Sequence, residues 1–280
     1  MGPWRSLLLS TGIFILALFL AGICIGLIKG FFPAGSRQAM IAASVVQNLV
    51  AFGGSALMIS IILSRRPLRY LALDGRIRSI TLFNILICFI LGLPFLNEVI
   101  YYNSQLQFPD WMSAVGEWAR ASEDAAAKAT SVMLSSTSVG GLIVTVLVVG
   151  VFTGFCEELF FRGALQRIFL TNGVNRHLAV WLAAFIFSLL HFQFFGFVPR
   201  LLLGAFFGYL LLWTGSVWTA AIAHALNNTI AIVSQWIANR GGAVQDVETI
   251  GVETSGFPWI AAISLVLLLT FIYIQRRRGF

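Results

Sequence analysis

The sequence predicts an all-α fold, a polytopic bundle of about eight transmembrane helices. Of its 280 residues 59% are hydrophobic and only 10% are charged, whereas soluble proteins carry roughly 25% charged residues. The mean hydropathy of +0.90 reflects more apolar surface than a soluble fold can bury. A helix needs about 20 apolar residues to cross roughly 30 Å of hydrocarbon. The chain therefore has room for several crossings and little room for a separate soluble domain.

Eight apolar runs, each bounded by charge, glycine or proline, mark the candidate spans. The first run is longer than the roughly 15 residues of a signal-peptide core and has no clear cleavage site, so we expect it to be retained. We divide the chain into N-terminal helices with an external connector (1–137), a central core (138–240), and an external loop with the last helix (241–280). The spans cover about residues 6–28, 40–63, 79–101, 139–161, 178–197, 199–213, 216–238 and 257–274.

The arginines predict the orientation of the bundle, because short cytoplasmic loops are enriched in lysine and arginine. With the N-terminus inside, the arginine-rich connectors face the cytoplasm of a bacterial-type inner membrane, and both termini are cytoplasmic. The stretches 103–138 and 239–256 are then external. The arginines assigned to the cytoplasmic side are Arg5, Arg65, Arg66, Arg69, Arg76, Arg78, Arg162, Arg167, Arg176, Arg276, Arg277 and Arg278.

The first external stretch carries apolar residues at helical spacing. They either form an amphipathic helix on the outer membrane surface or belong to an ordinary solvated connector. These residues are Trp111, Met112, Val115 and Trp118.

Charge and cysteine content exclude some classes of partner and site. The net charge of +7 does not indicate nucleic-acid binding, since nearly all the arginines lie in short connectors rather than along one face. Cys24, Cys88 and Cys156 fall in different apolar stretches without paired spacing, so we expect neither a disulfide nor a zinc site. We interpret them as small buried hydrophobic residues and expect no cofactor.

Glycines four residues apart on apolar helices predict close approach of neighbouring helices. In the third span, Pro94 predicts a kink because proline inside a helix removes a backbone hydrogen bond. Such a kink either opens a cavity beside a site or is only a bend. The glycine repeats are Gly22, Gly26 and Gly30, Gly150 and Gly154, and Gly204 and Gly208.

Ionisable side chains at membrane depth are the candidate functional groups, because burying them in hydrocarbon is costly. Such groups normally face a bundle interior or a wet cavity. Glu98 lies near the outer end of its span and is also compatible with a simple interfacial position. The candidates are Glu98, Glu157, Glu158, His191 and His224, with Asn227 and Asn228 beside the last histidine.

Glu157 and Glu158 cannot face one site equally, because adjacent residues point about 100° apart on a helix. Glu158 and Arg162 are four residues apart and can pair on one helix face. This leaves Glu157, on the neighbouring face, as the carboxylate free to act as a general base.

Each histidine pairs with a residue one helical turn away, Phe187 with His191 and His224 with Asn228. Histidines, an asparagine and acids on three helices are the groups needed to activate water and stabilise an oxyanion. At 1.5 Å per residue, His224 is roughly 12 Å and His191 roughly 21 Å from the start of its helix. The two histidines would then lie at different depths in the membrane. Either the helix of His191 tilts or begins later than His177, which would bring them level, or the site is less compact.

Three motifs together resemble the CAAX protease and bacteriocin-processing family, also called the Abi family, which includes the type II CAAX prenyl endopeptidases. The motifs are Glu-Glu-x-x-x-Arg (Glu157, Glu158, Arg162), Phe-x-x-x-His (Phe187, His191) and His-x-x-x-Asn (His224, Asn228). They occur in the family's order, each on an apolar helix, between about residues 140 and 232.

The resemblance implies a metal-independent intramembrane endopeptidase of the glutamate type. It implies that Glu157 and His191 activate the attacking water, while His224 and Asn228 stabilise the tetrahedral oxyanion. Glu158, Arg162 and Phe187 would be supporting residues. The implied partners are the lipid bilayer and a peptide or membrane-protein substrate, lipidated or not.

Two other functions stay open on the sequence. Glu157, His191 and His224 are a ligand set that catalytic zinc accepts, which would make the chain a metal-dependent membrane peptidase, although there is no His-Glu-x-x-His helix. A non-enzymatic membrane scaffold or immunity partner with the same fold is the second alternative. A transporter is disfavoured, because the chain shows no corresponding repeated halves.

Overall fold

The chain folds into a bundle of helices, as the sequence predicts. The computed structural model describes residues 2–241, 249–278 and 280, and within these ranges it contains no β-strand. A 3-10 turn precedes α5 at Asp110–Met112 and another precedes α8 at Phe194–Gly196. The helices are α1 (Pro3–Lys29), α2 (Arg37–Leu63), α3 (Pro67–Tyr70), α4 (Ser79–Ser104), α5 (Ser113–Met133), α6 (Val139–Thr171), α7 (Arg176–Leu189), α8 (Phe197–Thr214), α9 (Val217–Asn239) and α10 (Trp259–Arg278).

Six helices of the described chain are long and apolar enough to cross a membrane: α1, α2, α4, α6, α8 with its preceding turn, and α10. The chain is therefore an integral membrane protein, and the prediction of eight spans is approximate. Helix α7 has 14 residues, about 21 Å at 1.5 Å per residue, which is short of the roughly 30 Å of hydrocarbon. Helix α9 has 23 residues, but His224, Asn227 and Asn228 lower its hydropathy.

The distribution of side chains is the one expected for a protein dissolved in lipid. Large apolar side chains on α1 and α10 point outward, including Phe19 at 68% exposure and Val266 at 63%. The interior instead holds polar groups, with Arg162 and Gln166 fully buried on α6. Polar side chains thus collect where neighbouring helices can satisfy them.

Helix α6 runs through the centre of the bundle and positions the site. A short α-helical stretch, Thr153–Glu158, lies between two π-helical segments, Val146–Phe152 and Leu159–Gln166. Every residue of the second segment is buried. Segments of π-helix are rare and often mark functional sites, and here they flank the two glutamates.

Two of the three glycine repeats bring helices together at the site. A methyl group at Gly154 would lie 3.2 Å from the backbone nitrogen of Ala225 on α9, and one at Gly208 would lie 2.8 Å from Gln166 Oε1. The prediction of close packing is wrong for Gly22 and Gly26, which have nothing within 4 Å of an added methyl group. Both lie on α1, whose surface is largely exposed.

The stretch before α6 is a helix rather than a solvated connector. Trp118 on α5 packs edge-on against Phe192 and Phe194, with ring centroids 6.5 and 5.4 Å apart. Helix α5 therefore covers the turn between α7 and α8. In the second external stretch, Asp246 and Glu248 lie outside the described residues.

Two smaller expectations need correction. Cys88 and Cys156 are buried as predicted, but Cys24 is only half-buried, because it lies on the lipid-facing helix α1. Arg162 is fully buried within α6 and does not belong to a cytoplasmic connector, so it carries no information on orientation.

Candidate active site

Glu158 and Arg162 form a fully buried ion pair on α6, as their spacing predicts. Arg162 Nη1 donates to Glu158 Oε1 at 2.8 Å, and both side chains have 0% exposure. Arg162 Nη2 donates to the carbonyl oxygen of Gly204 on α8 at 2.8 Å. The guanidinium also stacks over the ring of Phe187, 4.7 Å from its centroid. Arg162 thus connects α6 to α7 and α8 while neutralising Glu158.

His224 lies between the two glutamates. Its Nδ1 is 2.8 Å from Glu158 Oε1, which also accepts from Arg162. A carboxylate paired with arginine can only accept hydrogen bonds, so Nδ1 must carry a proton and donate it. The other ring nitrogen, Nε2, faces Glu157 with 3.8 Å between Nε2 and Oε2. Glu158 therefore fixes the His224 ring so that Nε2 is presented to Glu157.

His191 lies just beyond the end of α7, not within a span that continues to residue 197 as predicted. Its Nδ1 is 2.7 Å from the carbonyl oxygen of Phe187, one of the last four carbonyls of the helix, which have no partner within the helix itself. A carbonyl only accepts, so Nδ1 donates and Nε2 is left with a lone pair. Both histidines of the site thus use Nδ1 for orientation and keep Nε2 for other partners.

The ring of Phe187 brings the two histidines together. Its centroid is 4.9 Å from the ring of His191 and 5.8 Å from that of His224. The sequence left open that the helix of His191 begins later than His177. Helix α7 begins at Arg176, so a later start is not the reason that the two histidines meet. The end of α7 at Leu189 and the turn after it carry His191 back toward α9.

Asn228 is held against α6 rather than against the other site residues. Its Nδ2 donates to the carbonyl oxygen of Val149 at 3.2 Å, and its Oδ1 accepts from Asn227 at 3.4 Å. An amide carries two N–H donors, so the bond to Val149 leaves one donor. Asn228 lies one turn from His224 on the same face of α9.

Arg200 is a site residue that the sequence reasoning missed. It interacts electrostatically with Glu157 and His191, and its Nη2 donates to Gln193 Oε1 at 2.8 Å. Gln193 in turn donates to Glu123 on α5 at 3.2 Å. The signal that could have found it is its position: Arg200 is an arginine at the second residue of the predicted span 199–213, and a charge in an apolar run is costly to bury.

The described residues contain no group of three or more His, Cys, Asp or Glu side chains placed to hold a metal ion. Glu157, His191 and His224, which the sequence offered as a zinc ligand set, therefore do not form one in this geometry.

The fold and the site define an integral membrane protein whose acids, histidines and arginines are gathered inside a helical bundle. Residues 139–230 match the family described as type II CAAX prenyl endopeptidase Rce1-like. The resemblance predicted from the three motifs is confirmed over this segment, which contains all of them, and it supports a CAAX-protease-like membrane endopeptidase. No curated protein and no solved structure matches the chain significantly.

Proposed function

We propose that the chain is an intramembrane endopeptidase in which Glu157 activates a water molecule without help from a metal ion. The observation that carries this proposal is the difference between the two glutamates: Glu158 is held by hydrogen bonds, and Glu157 is available. Arg162 donates to Glu158 and to Gly204, and Glu158 also holds His224. Glu157, 8% exposed, faces the Nε2 side of that histidine at 3.8 Å, beyond direct hydrogen-bond distance, and this supports its role as the base.

The separation between Glu157 and His224 suits a bridging water. At 3.8 Å, Oε2 and Nε2 are too far apart for a direct hydrogen bond. One oxygen atom can lie about 2.8 Å from both atoms and hydrogen bond to each. The attacking water is thus held at the carboxylate that removes its proton.

His191 is the second group that orients the water. Its Nε2 carries a lone pair because Nδ1 donates to Phe187, so it accepts a hydrogen bond from the water. The cation of Arg200 lies near this part of the site. Glu157 and His191 together then accept both water protons in hydrogen bonds, which increases the nucleophilicity of the oxygen.

His224 and Asn228 stabilise the oxyanion in this proposal. As an imidazolium, His224 keeps Nδ1–H on Glu158, and its Nε2–H, which donates to the bridging water before the attack, donates to the oxyanion as the oxyanion forms. The carboxylates of Glu157 and Glu158 then face the cations Arg162 and His224 inside a low-dielectric site, with Arg200 nearby. The amide proton of Asn228 that Val149 does not use supplies the second donor.

The reaction follows from these positions. The water oxygen bonds to the scissile carbonyl carbon while its proton moves to Glu157, and the carbonyl oxygen becomes the oxyanion. When this intermediate collapses, the C–N bond breaks and Glu157 returns the proton to the leaving amine. The substrate is a peptide or membrane protein, lipidated or not, which reaches the site from within or beside the bilayer of a bacterial inner membrane, with both termini of the enzyme cytoplasmic.

The test is cleavage of a quenched peptide library, with and without a prenylated cysteine, by purified protein in nanodiscs. We expect Glu157→Gln, which keeps the shape of the side chain, to abolish cleavage, and Glu117→Gln on α5 to leave it unchanged. A parallel sample with chelator should retain full activity. Chelator-sensitive cleavage would instead indicate a metal-dependent peptidase, and a biological effect that survives Glu157→Gln would indicate a non-enzymatic scaffold.

A further inference from the structure

A cavity lies between α4 and α10, near the ends of these helices that carry Ser104 and Trp259. Its volume is ≈ 440 Å³, within the range of roughly 300–1,000 Å³ typical of ligand pockets. We call it the α4–α10 crevice. The lining residues are Phe95, Glu98, Val99, Tyr102, Asn103, Leu106, Val198, Pro258, Ala261, Ala262 and Leu265.

The crevice borders an interruption in the backbone ladder of α4. Pro94 lies inside the helix and has no N–H to donate. At this point the hydroxyl of Ser264 on α10 donates to the carbonyl of Leu91 and accepts from the N–H of Phe95. The side chain of Ser264 thus bridges two groups that are four residues apart and pair with each other in a regular helix. Phe95, the residue after Pro94, lines the crevice, which lies beside α10 and not at Glu157.

One wall of this apolar crevice carries a buried carboxylate. Glu98 is only 4% exposed, and its Oε2 accepts from the backbone N–H of Glu253 at 3.1 Å. Its Oε1 has no hydrogen-bond partner in the part of the chain that the structure describes. No lysine, arginine or histidine is among the lining residues. A buried carboxylate oxygen without a partner is costly, and a ligand that donates to it would remove that cost.

We propose that the α4–α10 crevice binds a membrane amphiphile with one apolar chain and a primary ammonium head group. The apolar walls accept the chain, and the ammonium compensates the negative charge of Glu98. It donates to Oε1 once the Glu98 side chain rotates to expose this oxygen, which is covered by protein in the structure. A phosphate or sulfate head group does not fit, because it would place an anion against Glu98 with no lining cation to balance it. Charge complementarity thus selects the head group, and the apolar surround selects the chain.

The ligand would lie next to the segment that carries His191 and Arg200. Asn103 lines the crevice, and its Nδ2 donates to the carbonyl of Phe194 at 3.0 Å while its Oδ1 accepts from the N–H of Val198 at 2.7 Å. Both contacts fall between the two site residues in the chain. Binding in the crevice therefore touches the segment that carries two residues of the candidate active site, although Glu157 and His224 lie on other helices.

Photolabelling tests this proposal directly and does not depend on peptidase activity. The probe is hexadecylamine carrying a diazirine in its chain, added to the full-length protein in phosphatidylcholine nanodiscs. We expect labelled peptides from α4 and α10. Unlabelled hexadecylamine should compete about ten-fold better than hexadecyl sulfate, since a charge-assisted hydrogen bond contributes about that factor.

Two variants distinguish the carboxylate from the cavity. Glu98→Gln should bring the two competitors within about two-fold of each other, while Glu117→Gln, an exposed acid on α5, should leave the ten-fold preference unchanged. Ala262→Phe should fill the crevice and prevent labelling with Glu98 intact. Labelling outside the crevice, or equal competition by amine and sulfate at the wild-type protein, would overturn the proposal. A thermal melt of each variant confirms that it is folded.

Discussion

The ion pair between Glu158 and Arg162 gives the sharpest test of how the interior is stabilised. The perturbation is Arg162→Met, which keeps much of the side-chain volume but removes the guanidinium. Glu158 then loses its arginine partner at 0% exposure, and the carbonyl of Gly204 loses the second of its two donors. Removing one partner of a buried pair typically costs about 3–5 kcal/mol. We expect a loss of this size in the free energy of unfolding.

The double variant Glu158→Gln/Arg162→Met tests the reason for that loss. It removes both charges, and the glutamine oxygen still accepts from His224 Nδ1. The carbonyl of Gly204 keeps its helical partner within α8, and the glutamine NH2 is the buried group left without a partner, which costs about 1–3 kcal/mol. We therefore expect the double variant to be more stable than Arg162→Met alone by about 2 kcal/mol, although it changes more residues.

The assay is reversible unfolding of the purified protein in mixed micelles, followed by circular dichroism. Arg176→Met, an exposed arginine at the start of α7, is the matched control and should change stability by less than about 0.5 kcal/mol. A loss below about 1 kcal/mol for Arg162→Met, or a double variant less stable than the single one, would refute the argument that an uncompensated buried charge dominates.

Three further perturbations follow from the packing. Gly208→Ala should cost about 1–3 kcal/mol of stability through overpacking between α6, α7 and α8. Gly22→Ala, with open space around it, should be neutral or stabilising by up to about 1 kcal/mol. Equal melting temperatures for the two variants would contradict the helix contacts. Phe187→Leu removes the ring between the two histidines and should lower peptidase activity about 10- to 100-fold with folding intact, measured as kcat/KM beside a melt. Ser264→Ala removes the hydroxyl that bonds two backbone groups next to Pro94 and should cost about 1–3 kcal/mol in the same unfolding assay. An unchanged stability would show that α4 pairs these two groups itself.

Much of the site could be predicted from the sequence because ionisable groups are rare at membrane depth. Glu157, Glu158, His191 and His224 stand out against apolar neighbours for that reason. The i,i+4 spacing of Glu158 and Arg162 fixes their pairing within one helix, and the structure confirms it at 2.8 Å. Local periodicity is enough for such contacts, because both residues lie on the same element.

Contacts between helices could not be predicted in this way. That His224 Nδ1 bonds Glu158 while Nε2 faces Glu157 depends on how α9 is rotated against α6. The participation of Arg200 through Gln193 and Glu123 depends on where α5 lies. No spacing along the chain reports these positions.

Hydropathy and helical period are properties of the local chain, so the class of fold, the candidate polar residues and the pairing within α6 follow from the sequence alone. The end of α7 at Leu189 and the return of His191 toward His224 follow from the tertiary structure. It also decided that Arg162 is a buried cation and that Gly22 packs against nothing. In lipid the outward faces are as apolar as the packed ones, so hydropathy alone does not tell which face of a helix meets its neighbours.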